Sequence, residues 1–377
     1  MSWSLDGRPL RKILVTRLRY LGDIVMATAV VDLLKRGDPE LDIGFLCEEA
    51  YAPALIDHDA LDRLHVLGTG GTGATHRNRP VVLEPDRPRQ EGWLGTVLAL
   101  RRERYDLAVD LFFNPRSAWL LRCAGIPLRI TGRHNRRARL YTHVAELPAD
   151  PGFRSLAPGG LGEHVARLAP LSHVETGLPM MDWLASHGGI VGPRLVVSDS
   201  ARASAAESLA GAGVKPGPFI LLAPGATWEA KSWPADRWRA LIDMLEGGGV
   251  RTVVLNPPGT DRLLEAALED APGTRLPPLP LSTVFGVIAA ARSVVTVDGG
   301  VMHAAVALKR PTVALFGPTD PTIWFPYDHL GIHRVLATRP HCHPCDLHSC
   351  DDWICMPGLE VTDVITALTK ILFGGEV

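Results

Sequence analysis

The groups best placed to do chemistry in this 377-residue chain fall in Asp298-Gly299-Gly300-Val301-Met302-His303, which leads on to Pro311-Thr-Val-Ala-Leu-Phe-Gly317-Pro-Thr-Asp320. A β-type run, Ser293 to Val297, ends at the acidic residue and the two glycines. A helix-compatible segment, Val301 to Leu308, follows, and a second apolar strand pattern runs from Thr312 to Phe316. A strand–glycine turn–helix–strand unit of this kind suits an anion, because the first helical turn leaves backbone N–H groups unpaired and its dipole favours negative charge. Glycines let a phosphate approach the backbone with no Cβ in the way. Asp298, at the end of its strand, can accept hydrogen bonds from sugar hydroxyls or order the turn, and His303 faces the same mouth one turn in. Spacing alone fits an ordinary βα turn with a capping aspartate equally well.

Other candidates sit at equivalent places. Asp23 follows Gly22 after the first strand pattern and opens a helix, where a carboxylate serves either as a general base or as a cap. Thr227 and Lys231 lie in the turn after Phe219–Leu222, ahead of a helix that Pro234 starts. A lysine there can neutralise charge developing on a phosphate, or simply be solvated. Cys342, Cys345, Cys350 and Cys355 cluster with His341, His343 and His348 between them. In a reducing compartment that spacing predicts a structural zinc site, with reduced thiols or labile disulfides as the alternatives. Gly68-Thr-Gly70-Gly-Thr-Gly73 matches a dinucleotide fingerprint, but the loop sequence Ala74 to Pro80 follows instead of a helix, so it reads as a loop. Asp57-His-Asp59 matches a D-x-D metal motif and reads as a solvated face.

These residues need a frame to hold them. Ile13–Thr16, Asp42–Leu46, Leu64–Leu67 and Leu107–Phe112 read as buried strands, with helical patterns at Ile24–Lys35, Leu94–Arg104 and Ser117–Ala124. The pattern weakens from Ala145 to Ser198. It restarts with strands at Phe219–Leu222, Arg251–Leu255, Ser293–Val297 and Thr312–Phe316 and helices at Ala235–Glu246, Asp261–Leu268 and Ser282–Ala291. Such βα alternation predicts an α/β fold of two doubly wound, Rossmann-like domains facing a cleft, residues 1–190 and 191–377. A terminal helix, Val361 to Phe373, is expected to cross back to the first domain. Hydrophobic content of 46%, charged content of 21% and a net charge of −2 describe a globular protein and argue against a general nucleic-acid binder. The polar, mixed start from Met1 to Arg11 shows no signal peptide, and Arg292 breaks the best apolar run, Leu281 to Val297. A cytoplasmic location is expected.

Several motifs in order resemble glycosyltransferase family 9, the bacterial heptosyltransferases that extend the lipopolysaccharide inner core from ADP-heptose. They are Lys12-Ile-Leu-Val-Thr-Arg17-Leu-Arg-Tyr-Leu-Gly22-Asp23, Asp110-Leu-Phe-Phe-Asn-Pro-Arg116-Ser117, Glu163-His-Val-Ala-Arg-Leu, Pro224-Gly225-Ala-Thr227-Trp-Glu-Ala-Lys231-Ser-Trp-Pro234 and the Asp298 signature. The resemblance implies the GT-B architecture, with an N-terminal acceptor-binding domain and a C-terminal nucleotide-sugar-binding domain. It also implies inverting transfer that needs no cofactor, with Asp23 as base. Lys231, Thr227, Asp298, Gly299, Gly300 and His303 would hold the donor, and Asp261 and Leu281 would lie against its adenosine half.

Seven arginines and no acidic residue between Arg116 and Arg139 would suit an anionic glycolipid or oligosaccharide acceptor. Arg116, Arg133 and Arg136, with Arg17 and Arg19 beside Asp23, are the expected acceptor contacts. The same patch would allow peripheral contact with the inner face of the cytoplasmic membrane. Three departures from the family pattern leave donor and acceptor open: Ala27-Thr-Ala29-Val replaces a proline-bearing stretch, Gly299 replaces a threonine, and the loop Gly68–Gln90 is expanded. The competing readings are a nucleotide-sugar epimerase or hydrolase on the same fold and a degenerate sugar-nucleotide-binding protein.

Overall fold

The computed structural model describes residues 3–68, 75–76, 79–80, 92–112, 114–132, 137–145, 161–189, 191–255, 262–325, 327 and 333–374. The chain divides into two compact units, residues 1–72 with 85–196 and residues 73–84 with 197–377.

In the first unit, β1 (Lys12–Thr16), β2 (Asp42–Glu48), β3 (Arg63–Leu67), β4 (Leu107–Asp110), β5 (Leu128–Gly132) and β6 (His143–Ala145) form one sheet. Its order is β6-β5-β4-β1-β2-β3, and every pairing is parallel. A parallel sheet is covered on both faces, which is why its central strands read as unbroken apolar runs. Helix α1 (Leu21–Gly37) buries nearly every residue from Ile24 to Leu34, as a helix that is apolar all round must. Helices α2 (Trp93–Glu103) and α3 (Pro115–Cys123) give Val97, Leu100, Leu120 and Leu121 to a core shared with Leu14, Leu46 and Tyr105. Short helices α4 (Leu161–Ala166) and α5 (Met180–Ser186) complete the unit. A short strand, Trp3–Leu5, pairs antiparallel with Arg8–Pro9 and with Ser172–His173, tying the start of the unit to its end. Trp3 is fully buried there, its Nε1 donating to Leu34 O at 2.9 Å and its ring edge-on to His173 and Trp183.

The second unit repeats the plan. After α6 (Asp199–Gly211) come β7 (Ile220–Ala223), β8 (Thr252–Val254), β9 (Thr274–Arg275), β10 (Ser293–Val297), β11 (Thr312–Phe316) and β12 (His333–Ala337), all parallel in the order β9-β8-β7-β10-β11-β12. Helices α7 (Ala235–Gly247), α8 (Arg262–Ala267), α9 (Leu281–Ala290), α10 (Gly300–Ala307), α11 (Pro321–Trp324) and α12 (Val361–Phe373) connect or follow them. α12 buries Val361, Val364, Leu368 and Ile371, at helical spacing, in a core with Trp238, Leu241, Val313 and Leu315 of its own unit. Among the described residues no helix is long and apolar enough to cross a membrane.

Candidate active site

In each sheet the strand order reverses beside the first strand, between β1 and β4 in one unit and between β7 and β10 in the other. Crevices beyond the carboxyl ends of strands at such a switch point are where open α/β sheets bind ligands. The candidate residues fall at these two points.

In the second unit Lys231 follows β7 and Asp298 follows β10, and Lys231 Nζ lies 2.5 Å from Asp298 Oδ2. Both are buried, and the ammonium also sits 4.1 Å from the centroid of the Trp228 ring. Asp298 Oδ2 accepts a second hydrogen bond from Thr319 Oγ1 at 2.6 Å. Gly299 is the N-cap of α10, with φ 177, an extended conformation open to any residue. An added Cβ would meet nothing nearer than Val297 O at 3.9 Å, so this glycine supplies space in front of the helix rather than backbone freedom. Gly300 opens the helix itself. Thr227 is exposed in the Lys231 turn, and Leu281 is half-buried as the first residue of α9. Asp261 lies outside the described residues.

His303 is buried in α10, and its Nδ1 is 2.6 Å from Tyr327 OH. Burial holds its pKa at about 4, against an opposing pull from Asp298, so the ring is neutral at neutral pH. This has a measurable consequence. Between pH 6.5 and 4 the unfolded chain binds a proton that folded His303 refuses, so this residue's contribution to stability falls as pH falls through that window. His65, also held at about 4 by burial, acts in the same direction. Asp110, raised to about 6 by burial, acts oppositely, adding stability that is present below its ordinary pKa and lost as pH rises towards 6. Denaturant midpoints of His303→Gln should therefore fall less between about pH 7 and about pH 5 than those of the parent. An unchanged slope would remove His303 from this role.

In the first unit Asp23 is the third residue of α1, one turn inside the helix start, and accepts from the Tyr20 backbone N–H at 3.4 Å. It is also ion-paired with Arg17. Arg17 is 5% exposed. One end of its guanidinium takes Asp23 and the other donates to Leu111 O, with the Phe112 ring centroid 5.0 Å away. Arg17 thus ties Asp23 to the turn after β4.

That turn is built on a buried network with few signs in the local sequence. Asp110 accepts from Phe112 N at 2.9 Å, from Ser117 Oγ at 2.8 Å and from Tyr141 OH. Arg167 donates from Nη1 to Asp110 O at 2.8 Å and from Nη2 to Glu163 Oε1 at 2.9 Å, and both charged side chains are fully buried. Gly132 makes room for them, since a Cβ there would lie 2.9 Å from Arg167 Nε and from Glu163 Oε1.

Arg19 and Arg116 are half-exposed but share a carboxylate that the sequence does not place near them. Glu48, at the end of β2, lies 2.9 Å from Arg116 Nη1 and 3.7 Å from Arg19 Nε. Within the arginine-rich segment, Arg129 donates to carbonyl oxygens of Leu140, Ile126 and Pro127. Arg133 and Arg136 lie outside the described residues. The basic stretch is therefore partly neutralised and partly structural. Asp59, from the D-x-D match, is ion-paired with Arg194, which also takes Asp32.

The cysteine cluster lies in a segment beside the Lys231 site. All six cysteines are free thiols, and among the described residues no three His, Cys, Asp or Glu side chains are arranged to hold a metal ion, Cys342, Cys345, Cys350 and Cys355 included. Direct contacts hold the segment in place. Cys345 N and Asp346 N donate to Pro318 O at 3.0 Å, and His343 Nε2 is 3.2 Å from Thr319 O. Ala230 N donates to His348 O at 3.0 Å, Trp353 Nε1 donates to Ala230 O at 3.2 Å, and the rings of Trp228 and His348 lie 4.0 Å apart. Met356 packs against Gly317. The segment thereby buttresses the Lys231 turn and the Thr319 loop together. Trp228, Thr319 and Tyr327 are the members of this site that sequence reasoning missed. Thr319 and Trp228 carried a signal, as parts of the Phe-Gly-Pro-Thr-Asp run and of the motif from Pro224 to Pro234.

Two doubly wound units, each with a six-stranded parallel sheet and a polar cluster at its switch point, have the GT-B fold. The sequence profile of glycosyltransferase family 9 (heptosyltransferase) matches residues 164–350. Lipopolysaccharide heptosyltransferase 1 of Pseudomonas aeruginosa is 28% identical over 345 residues, covering 90% of this chain and 87% of that protein. Lipopolysaccharide heptosyltransferase 3 of Escherichia coli K12 is 25% identical over 372 residues, covering 94% and 96%. The solved structure of the E. coli ADP-heptose lipopolysaccharide heptosyltransferase II superposes with a TM-score of 0.70 at 22% identity, over 96% of this chain and 99% of that one. The chain is a glycosyltransferase similar to the heptosyltransferases of family 9.

Proposed function

We propose that this glycosyltransferase moves a heptose from ADP-heptose onto an anionic, lipopolysaccharide-core-like acceptor, with inversion and without a metal ion. The relatives' names support the donor and the acceptor class. The observation that carries the reading is the buried Lys231–Asp298 pair beside the open N-terminus of α10. In this reading the second unit holds the nucleotide sugar, with Asp298 on a sugar hydroxyl and Lys231 on the diphosphate.

Asp23 removes the proton from the acceptor hydroxyl as that oxygen attacks the anomeric carbon. The bond from that carbon to the diphosphate breaks, and ADP leaves with both electrons. Lys231 and the first N–H groups of α10 stabilise the charge that develops on ADP, the part fixed donors play best in a site already organised. Arg17 holds the Asp23 carboxylate in place, while Arg19 and Arg116 offer guanidinium groups to acceptor anions.

Calorimetric titration with ADP and ADP-heptose in the presence of EDTA tests the donor half. Lys231→Ala should weaken binding by about tenfold or more, as expected for loss of a charge-assisted hydrogen bond of about 1.5–3 kcal/mol. Absence of nucleotide binding by the parent protein, or selective binding of a uridine or guanosine diphosphate, would sink this donor assignment.

A further inference from the structure

A cavity of about 320 Å³ opens at the foot of the second unit, between the carboxyl-terminal halves of α7 and α12. Phe219 and Ile220, where β7 begins, line its buried part with Leu245 of α7 and Leu368 of α12. Lys231 and Asp298 follow the carboxyl ends of β7 and β10, so the cavity lies at the opposite end of the same sheet. Its mouth is apolar and open: Met244 is 50% exposed, Val250 37% and Phe373 70%. Gly248 and Gly249, in the turn after α7, carry no side chain to cover it.

The charges at this mouth are of one sign. Arg251 and Arg292 line the cavity, and no acidic residue does. Arg251 is half-buried, and its Nη1 donates to Lys215 O at 2.6 Å. Arg292 is exposed, with its guanidinium carbon 5.3 Å from the centroid of the Phe373 ring and no ion-pair partner among the described residues. The carboxylates of α7 closest in sequence to the cavity are committed elsewhere, Asp243 to Arg239 at 3.0 Å and Glu246 to the Thr252 backbone N–H at 2.6 Å.

We propose that this cavity binds an alkyl carboxylate, a single hydrocarbon chain lying between α7 and α12 with its anionic head on Arg292. The volume falls at the lower end of the range for small-molecule sites, roughly 300–1,000 Å³, which suits one chain rather than a helix of a partner protein. Apolar walls alone would accept any hydrocarbon. The guanidinium, planar and forked, selects a carboxylate among them. A second copy of this chain is a poorer occupant, because a stable dimer buries about 800 Å² on each partner and three side chains around a concave mouth offer far less. The site does not depend on which sugar is transferred, and its test reads binding rather than transfer.

The test is calorimetric titration of the full chain with octanoate, decanoate and octylammonium. Decanoate should bind at one site per chain, about tenfold tighter than octanoate, since each buried methylene contributes about fourfold. Octylammonium, with the same chain length as octanoate and the opposite charge, should not bind measurably. Arg292→Glu should weaken decanoate binding about tenfold or more. Thr369→Phe, which places a ring on the cavity wall, should abolish it. A thermal melt matching the parent shows that each variant keeps its fold, and if Thr369→Phe does not, Arg292→Glu decides alone. No decanoate binding by the parent, equal affinity for octylammonium, or unchanged affinity in a folded variant overturns the proposal. So does a concentration-dependent dimer that Phe373→Ser abolishes without any carboxylate binding, which would assign the face to a second copy.

Discussion

Asp23→Asn is expected to lower kcat by about two to four orders of magnitude while leaving donor affinity within about twofold. Asparagine keeps the size of the side chain, and its carbonyl oxygen can still accept from Arg17, while its NH2 replaces only the oxygen that takes the long 3.4 Å contact from the Tyr20 backbone. What it loses is the capacity to take a proton. A purely structural Asp23 would behave differently, because the amide would preserve most of the rate. Turnover with a saturating acceptor, set beside calorimetry of ADP-heptose on the same preparation, separates the cases. A variant that retains more than about a tenth of the parent's turnover removes Asp23 from proton transfer. Loss of donor binding together with loss of rate would point to a folding defect instead. The contrast with Lys231→Ala, which should act on donor affinity, tests whether the two switch points divide the work.

Arg167→Met should destabilise the fold more than any substitution at Asp23, Lys231 or His303, costing about 3–5 kcal/mol. The guanidinium is fully buried, serves both Glu163 and the Asp110 carbonyl, and fits beneath a glycine where no larger residue has room. Its removal strips a buried carboxylate of its counter-charge, the situation in which breaking one half of an ion pair costs far more than the pair contributes. Replacing both partners, Glu163→Gln with Arg167→Met, should recover part of the loss, and the size of the recovery measures the coupling. Denaturant unfolding of the single and double variants checks this. If the single variant unfolds within about 1 kcal/mol of the parent, the network is not what fixes the turn carrying Leu111. Because that turn also receives Arg17, a lesser defect in turnover is expected even in the folded fraction.

The strands at the centre of each sheet were readable because burial on both faces leaves an unbroken apolar run. Ser293–Val297 and Thr312–Phe316 come out with the boundaries their sequence suggests. The edge strand β12, with His333 and Arg334, carries polar residues on a half-covered face and lacks that signal. Helix α6 was hidden by its alanine- and serine-rich composition, though Ser198 caps it.

In the site, Lys231 and Asp298 were legible because each falls in a motif at the end of a strand. Their pairing was not, since the two stand far apart in sequence and only the strand order brings them together. Glu48 and Arg116 show the same limit in reverse. A stretch with no acidic residue of its own acquires one from another strand, so a charge count along the chain overstates the field in space. The cysteine segment shows a third limit, because the contacts its histidine, tryptophan and backbone groups make with the rest of the unit have no mark in the spacing of the chain.

The short strand at Trp3–Leu5 has a consequence for how the chain is made. Its partner, Ser172–His173, lies nearly the whole length of the unit away, and β1 must wait for β4, at residues 107–110, to gain its second neighbour. As the chain emerges from a ribosome, Trp3 and α1 therefore spend the synthesis of most of the unit without the Ser172–His173 strand and the Trp183 ring that hold the tryptophan in place. Contacts of such long sequence separation form late and slowly. The first unit is expected to close in one step once its last segment has emerged, and until then to be a client for chaperones.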